Sequence, residues 1–250
     1  MEELRGAAYN EIERLFKKKK AFITAIVSIL SIILGQLVVI VLRFGTGSRA
    51  ADRAEFPLVV LSIYINAILP FFTALIAIDM FAGEFSQNTM KIALLRPISR
   101  LKLFLSKFSA LTFFVFINLL LVMALSTLAG MFFNPGTLTI AELLRILIAY
   151  MVSIFPILTI VLIVIFLGNL FKKGTTAFWV SVILFVAMKA LEIYNNYYKI
   201  MFITSILGWY SHWTGNEIRI DVLLREFLMM LACSLMAFSA GFYLFDKKEL

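Results

Sequence analysis

The sequence predicts an all-α membrane protein with six transmembrane helices, and three observations carry that expectation. Hydrophobic residues fill 62% of the 250 positions and charged residues only 15%, too few polar side chains to cover a water-soluble fold. The apolar residues come in blocks of span length rather than at amphipathic spacing. The cations gather beside alternate block ends, the arrangement that sets orientation across a bilayer.

A helix crossing the hydrocarbon core needs roughly 20 residues, because each adds about 1.5 Å and no backbone group there can bond to water. Six blocks meet this requirement: Ala21–Leu42, Leu58–Ile78, Phe108–Phe133, Leu143–Phe171, Thr175–Leu191 and Val222–Phe245. The first is too long for a signal-peptide core. It follows Glu2, Glu3, Glu11 and Glu13 without a small-residue cleavage site, so it is expected to be retained. The fifth is short and ends beside Lys189. Pro57 suits the first turn of the second span, whereas Pro70 and Pro156 fall inside spans and should kink them.

An even number of spans puts both termini on one side. That side would hold Arg5, Arg14, Lys17 to Lys20, Lys91, Arg96, Arg100, Lys102, Lys107, Lys172, Lys173, Lys247 and Lys248. The other would hold Arg43, Arg49, Arg53, Arg145, Lys189, Lys199, Arg219 and Arg225. The richer side is expected to be cytoplasmic.

Ahead of the first span, Leu4, Ala8, Ile12, Leu15 and Phe16 recur at helical spacing, with Glu13 and Lys17 as an i,i+4 pair on the polar face. This predicts an amphipathic helix in the cytoplasmic interface. The lysine run that follows sits where anionic headgroups attract about 1 kcal/mol per cation, or it is a positive-inside anchor alone.

The connection between the second and third spans is long. Phe81, Phe85, Ile92 and Leu95 share one helical face, with Glu84, Gln87, Asn88 and Lys91 opposite. Pro97 ends that helix, and Ser99 can cap the next, which carries Arg100, Lys102 and Lys107. The result is a helix–Pro–helix elbow: a surface for a soluble partner, or a solvated loop.

The last outer loop, Glu192 to Asp221, contains Tyr194, Tyr197, Tyr198, Trp209, Tyr210 and Trp213. Its apolar stretch Ile200–Leu207 is too short to span, which predicts a re-entrant or interfacial hairpin. Tyr197, Tyr198, Trp209 and Trp213 would then form an outer gate or an aromatic belt.

Catalytic chemistry finds no foothold. Cys233 is the single cysteine and His212 the single histidine, without a partner at metal-binding spacing. Lys172-Lys173-Gly174-Thr175 lacks the upstream glycine of a phosphate loop. The formal charge of +8 lies beside apolar blocks rather than in an aromatic-interleaved groove, so nucleic acid is not expected as a partner. Lys189 and Glu192 are spaced to pair with each other. Gln36, Asn66, Asn118 and Asn169 read as interhelical hydrogen-bonding groups worth about 1 kcal/mol each.

The elbow carries a resemblance. Glu84, Asn88-Thr89, Lys91, the run Arg96-Pro97-Ile98-Ser99-Arg100 and then Lys107 resemble the permeases of type-2 ABC transporters, although the family's usual glycine before the threonine is here Asn88. The resemblance covers essentially the whole chain and implies a single domain over residues 1–250. That domain would comprise a connecting helix over 1–20, a six-helix bundle over 21–245, and a cytoplasmic tail over 246–250. It implies a coupling helix, in which Glu84, Phe85, Asn88, Thr89, Lys91, Arg96, Pro97, Ser99 and Arg100 dock on a separate ATPase. Leu4, Ile12, Leu15 and Phe16 would mark the connecting helix, and the outer hairpin would be re-entrant.

Further implications concern partners. Two ATPase subunits would hold ATP and Mg, none being bound by this chain. A second permease, identical or paralogous, would complete an exporter in the bacterial plasma membrane. Small permeases of this composition are similar to bacteriocin-immunity and phenol-soluble-modulin exporters, which implies an amphipathic peptide or hydrophobic drug as cargo. Lipid-linked glycan or ion extrusion is an alternative within the family; a membrane enzyme or assembly factor is one outside it.

Overall fold

The computed structural model describes residues 2–46, 51–83, 99–171, 173–194, 203–215 and 219–247. All regular structure among them is helical: α1 (Glu2–Phe16), α2 (Lys19–Thr46), α3 (Glu55–Ile63), α4 (Leu69–Ile78), α5 (Arg100–Phe133), α6 (Ile140–Val152), α7 (Ile154–Leu170), α8 (Gly174–Tyr194), α9 (Tyr210–Thr214) and α10 (Ile220–Lys247). Among the described residues, six helical stretches are long and apolar enough to cross a membrane. In chain order these spans are α2, α3 with α4, α5, α6 with α7, α8 and α10. They contain the six blocks expected from sequence apart from Phe171, which lies just past the end of α7, and most ends extend further than expected.

Two spans are composite, and proline accounts for both. Pro70 has no N–H and its ring crowds the carbonyl four residues earlier. The wider π turn Tyr64–Ile68 precedes it, and α4 restarts with the proline in its first positions, so the chain continues without a break. Before Pro156 the helix is interrupted at Ser153, whose hydroxyl donates to the Ala149 carbonyl at 2.7 Å. A second π turn, Asp79–Gly83, ends the second span.

Helix starts are specified locally. Ser99 caps α5, its hydroxyl accepting from the Lys102 N–H at 3.4 Å. Thr139 and Glu142 form a reciprocal capping box at the start of α6, with the Thr139 N–H donating to Glu142 Oε2 at 2.7 Å.

The second and fourth spans form the centre, 50% and 56% buried over their most apolar stretches, whereas the fifth is only 11% buried. The fifth therefore packs on one side, against α4 and α7, and leaves most of its surface exposed. The sixth lies along α7. There Gly241 admits the Phe166 backbone so closely that an added Cβ would meet it at 3.5 Å, and Asn169 donates to the Gly241 carbonyl. Small residues of this kind are what allow membrane helices to touch.

Polar ties cross the bundle at several levels. The Tyr64 and Ser28 hydroxyls are 2.9 Å apart, joining the first two spans. The Tyr150 hydroxyl donates to the Pro57 carbonyl at 2.9 Å and lies 3.0 Å from Ser126, joining the second, third and fourth. Gln36 and Asn134 exchange amide hydrogen bonds at 3.1 and 3.3 Å. Gln36 and Asn169 thus bond between elements as the sequence suggests. Asn66 and Asn118 instead donate to Ser62 and Phe114, carbonyls four residues back in their own spans. An amide on a helix reaches that carbonyl whether or not a neighbour is close.

Candidate functional site

Both chain termini lead to the same end of the bundle, and most of the described lysines stand there. This basic end is built from α1, the start of α2, the π turn after α4, the start of α5, the start of α8 and the end of α10.

Helix α1 lies against α5 rather than resting in the interface alone. Ala7, Glu11 and Leu15 are buried, Leu4 and Ile12 are half-buried, and Phe16 at the rim is 41% exposed. The Phe16 ring nonetheless meets Phe113 and Phe114 at 6.1 and 6.3 Å. The inward stripe is thus rotated from the expected one and carries an acid. Glu11 faces Lys107, about two turns into α5, and both carboxylate oxygens are 3.4 Å from the ammonium. Lys107 is fully buried. From sequence, Glu11 counted only among the acids that precede the first span, and Lys107 among the cations that lead into the third and in the motif of the resemblance. The available signal was the i,i+4,i+8 spacing of Ala7, Glu11 and Leu15, which places Glu11 inside an apolar stripe.

The lysine run after α1 is divided. Lys17 pairs with Glu13 at 2.5 Å on the exposed face, and this hydrogen bond raises the Lys17 pKa above its ordinary value. Lys18 and Lys20 turn inward and clamp Asp79, at 2.7 and 3.0 Å. The beginning of the first span is thereby tied to the end of the second by charge-assisted bonds. Asp79 was the unremarked first residue of the elbow.

Beneath this layer the rings of Phe81, Phe104 and Phe245 meet edge to face at 5.3 to 6.0 Å. Phe238 and Phe242 add to the same cluster. The second, third and sixth spans therefore share one aromatic joint directly behind the basic face. Arg100 reaches across it and donates to the Asp246 carbonyl.

Of the residues expected to couple, Ser99 and Arg100 stand at the head of α5. Glu84, Phe85, Asn88, Thr89, Lys91, Arg96 and Pro97 lie outside the described residues, as do Tyr197 and Tyr198 of the expected outer gate. At the opposite end, residues 203–215 pack on α6, α7 and α8. Trp209 is buried, stacked on Phe227 and edge-on to Phe155 and Trp213. The hairpin expected there includes residues 200–202, which are also outside the described ones. Lys189 and Glu192 pair at 2.9 Å. Among the described residues no three His, Cys, Asp or Glu side chains converge where a metal could sit.

An interfacial helix is keyed to the third span, the first span is clamped to the second, and an aromatic joint links three spans behind them.

A family profile described as "ABC-2 family transporter protein" matches residues 9–188, from within α1 to near the end of α8. An uncharacterised protein, YhcI, of Bacillus subtilis (strain 168) is 37% identical over 73 residues. That stretch is 29% of this chain and 23% of the relative, so the chain spans under a quarter of that protein's length.

Proposed function

The chain belongs to the ABC-2 family of transporter proteins, and from that premise we propose that it is the permease of an ATP-driven exporter whose cargo is an amphipathic peptide or a hydrophobic drug. Two copies, or one copy and a paralogue, enclose the pathway in a bacterial plasma membrane with both termini cytoplasmic. ATP and Mg are held by two separate ATPase subunits docked on the elbow between the second and third spans.

The observation that supports this reading best is the keyed basic end. A motor pushing on the elbow acts on the end of the second span and the start of the third. Those two places are fastened to their neighbours by Asp79 with Lys18 and Lys20, and by Lys107 with Glu11. Displacement there moves the first three spans together instead of bending one loop. The apolar surface of the bundle and the scarcity of acids inside its spans favour an amphipathic or hydrophobic cargo over an ion.

Copurification tests the assignment. The chain is expected to bring down a soluble ATPase, and reversing Glu84, Arg96 and Arg100 together is expected to abolish that association while the permease still inserts. An undiminished complex would refute the docking site. In lipid discs, amphipathic peptides are expected to raise ATP turnover of the complex; turnover that responds to glycan lipids or sodium and ignores peptides would reassign the cargo.

A further inference from the structure

At the basic end the first, second and fifth spans leave a cleft of about 450 Å³ between them. Lys20, Asp79, Lys173 and Thr175 edge it, and Phe178 and Trp179 form an apolar wall. Asp79 is the one carboxylate among its described lining residues, and Lys18 and Lys20 already hold both of its oxygens. Lys173 is exposed and brings a further ammonium to the rim. Among the described residues, three cations thus stand at or beside the cleft against one acid, a net positive balance.

Its depth identifies the occupant. Lys20 is the second residue of α2, Asp79 begins the last turn of the second span, and Lys173 immediately precedes α8. Three membrane helices end at this level, which is where headgroups lie. The Trp179 indole, 62% exposed, stands about one and a half turns further into α8, near the headgroup level where tryptophan is enriched. A soluble anion would use the cations and leave the aromatic wall idle. A phospholipid uses both, and basic clefts between membrane helices are recognised headgroup sites.

We propose that this cleft binds one anionic phospholipid, its phosphodiester between Lys20 and Lys173 and its first methylenes along Phe178 and Trp179. The open N–H groups in the first turn of α8 favour the same negative charge. The site depends on the chain's being a multi-pass membrane protein and not on the exporter reading, so it stands whatever the cargo.

Native mass spectrometry of the purified chain, with any copurifying partner, provides the test. The protein is released from discs of phosphatidylcholine containing a minority of phosphatidylglycerol. One phosphatidylglycerol is expected to be retained in preference to phosphatidylcholine. Lys173→Gln is expected to weaken retention about fivefold, the effect of one unit charge at an anionic surface. The cleft-filling Thr175→Trp, which leaves every charge in place, is expected to abolish it, and Lys19→Gln, outside the cleft, to leave it unchanged. Lys20→Gln also loosens Asp79, so Lys173 and Thr175 decide the matter. Equal retention by Lys173→Gln and Thr175→Trp, no preference over phosphatidylcholine, or displacement of the lipid by inorganic phosphate would each overturn the proposal.

Discussion

The ammonium of Lys107 has no exposure at all and lies 3.4 Å from both oxygens of Glu11 on a different helix. Such a pair is long for a charge-assisted hydrogen bond, but its environment makes it consequential. Removing one partner from a buried pair takes away an opposing charge that desolvation makes valuable, a loss on the order of 3 kcal/mol, whereas replacing both with apolar groups of similar size is far less damaging. Glu11→Leu alone is therefore expected to lower the thermal stability of the detergent-solubilised protein sharply, and Glu11→Leu with Lys107→Met to recover most of the loss. If the double variant is as unstable as the two single effects added, the residues are not coupled.

Asp79 and its two lysines are only partly buried, with side-chain exposures of 24%, 27% and 41%, so solvent screens much of their attraction. Asp79→Asn is expected to reduce stability by about 1 kcal/mol, and chiefly at low ionic strength. A comparison of unfolding in dilute and concentrated salt measures this. An equal loss in both would mean that packing, not charge, joins the first span to the second.

Two glycines provide a contrast in backbone packing. A Cβ at Gly130 would come within 2.8 Å of the Arg53 carbonyl oxygen, a backbone atom that cannot step aside. Arg53 is itself held where it is, its N–H donating to the Pro135 carbonyl at 3.2 Å and its Nε to that of Asn134 at 2.8 Å. Gly130→Ala is thus expected to destabilise by about 1–3 kcal/mol through overpacking. Gly6, in the second turn of α1, has nothing within 4 Å of its would-be Cβ. Gly6→Ala is expected to stabilise by roughly 0.5–1 kcal/mol, since glycine is the poorer helix former. Thermal shifts of opposite sign are the expected outcome.

These relationships mark the limit of what the sequence disclosed. The spans were legible because a lipid-crossing helix advertises itself within one segment, by length and apolarity. Pro70 and Ser99 were legible for the same local reason. Glu11 with Lys107, Lys18 and Lys20 with Asp79, and Gln36 with Asn134 were not. Each is fixed by which helix lies beside which, and one sequence carries no measure of that. Lys107 illustrates the point: read along the chain it is one more cation beside a span, and only the position of α1 turns it into a buried group. The family, by contrast, was legible from the elbow, because its motif lies within one short run of residues.

Trp209 offers a last test, one that separates packing from gating. Its ring is buried among Phe155, Trp213 and Phe227, 5.6 to 6.1 Å between centroids, while its Nε1–H is buried with no hydrogen-bond partner among the described residues. The ring should thus stabilise and the N–H should oppose it. Trp209→Phe keeps an aromatic surface and removes the unsatisfied donor, so its stability is expected to stay level or rise by up to about 1 kcal/mol. Trp209→Ala empties the site and is expected to cost about 3–5 kcal/mol. Should Trp209→Phe prove as unstable as Trp209→Ala, the indole N–H has a partner that matters. Should it keep full stability and lose transport, Trp209 belongs to a gate and not merely to an aromatic belt.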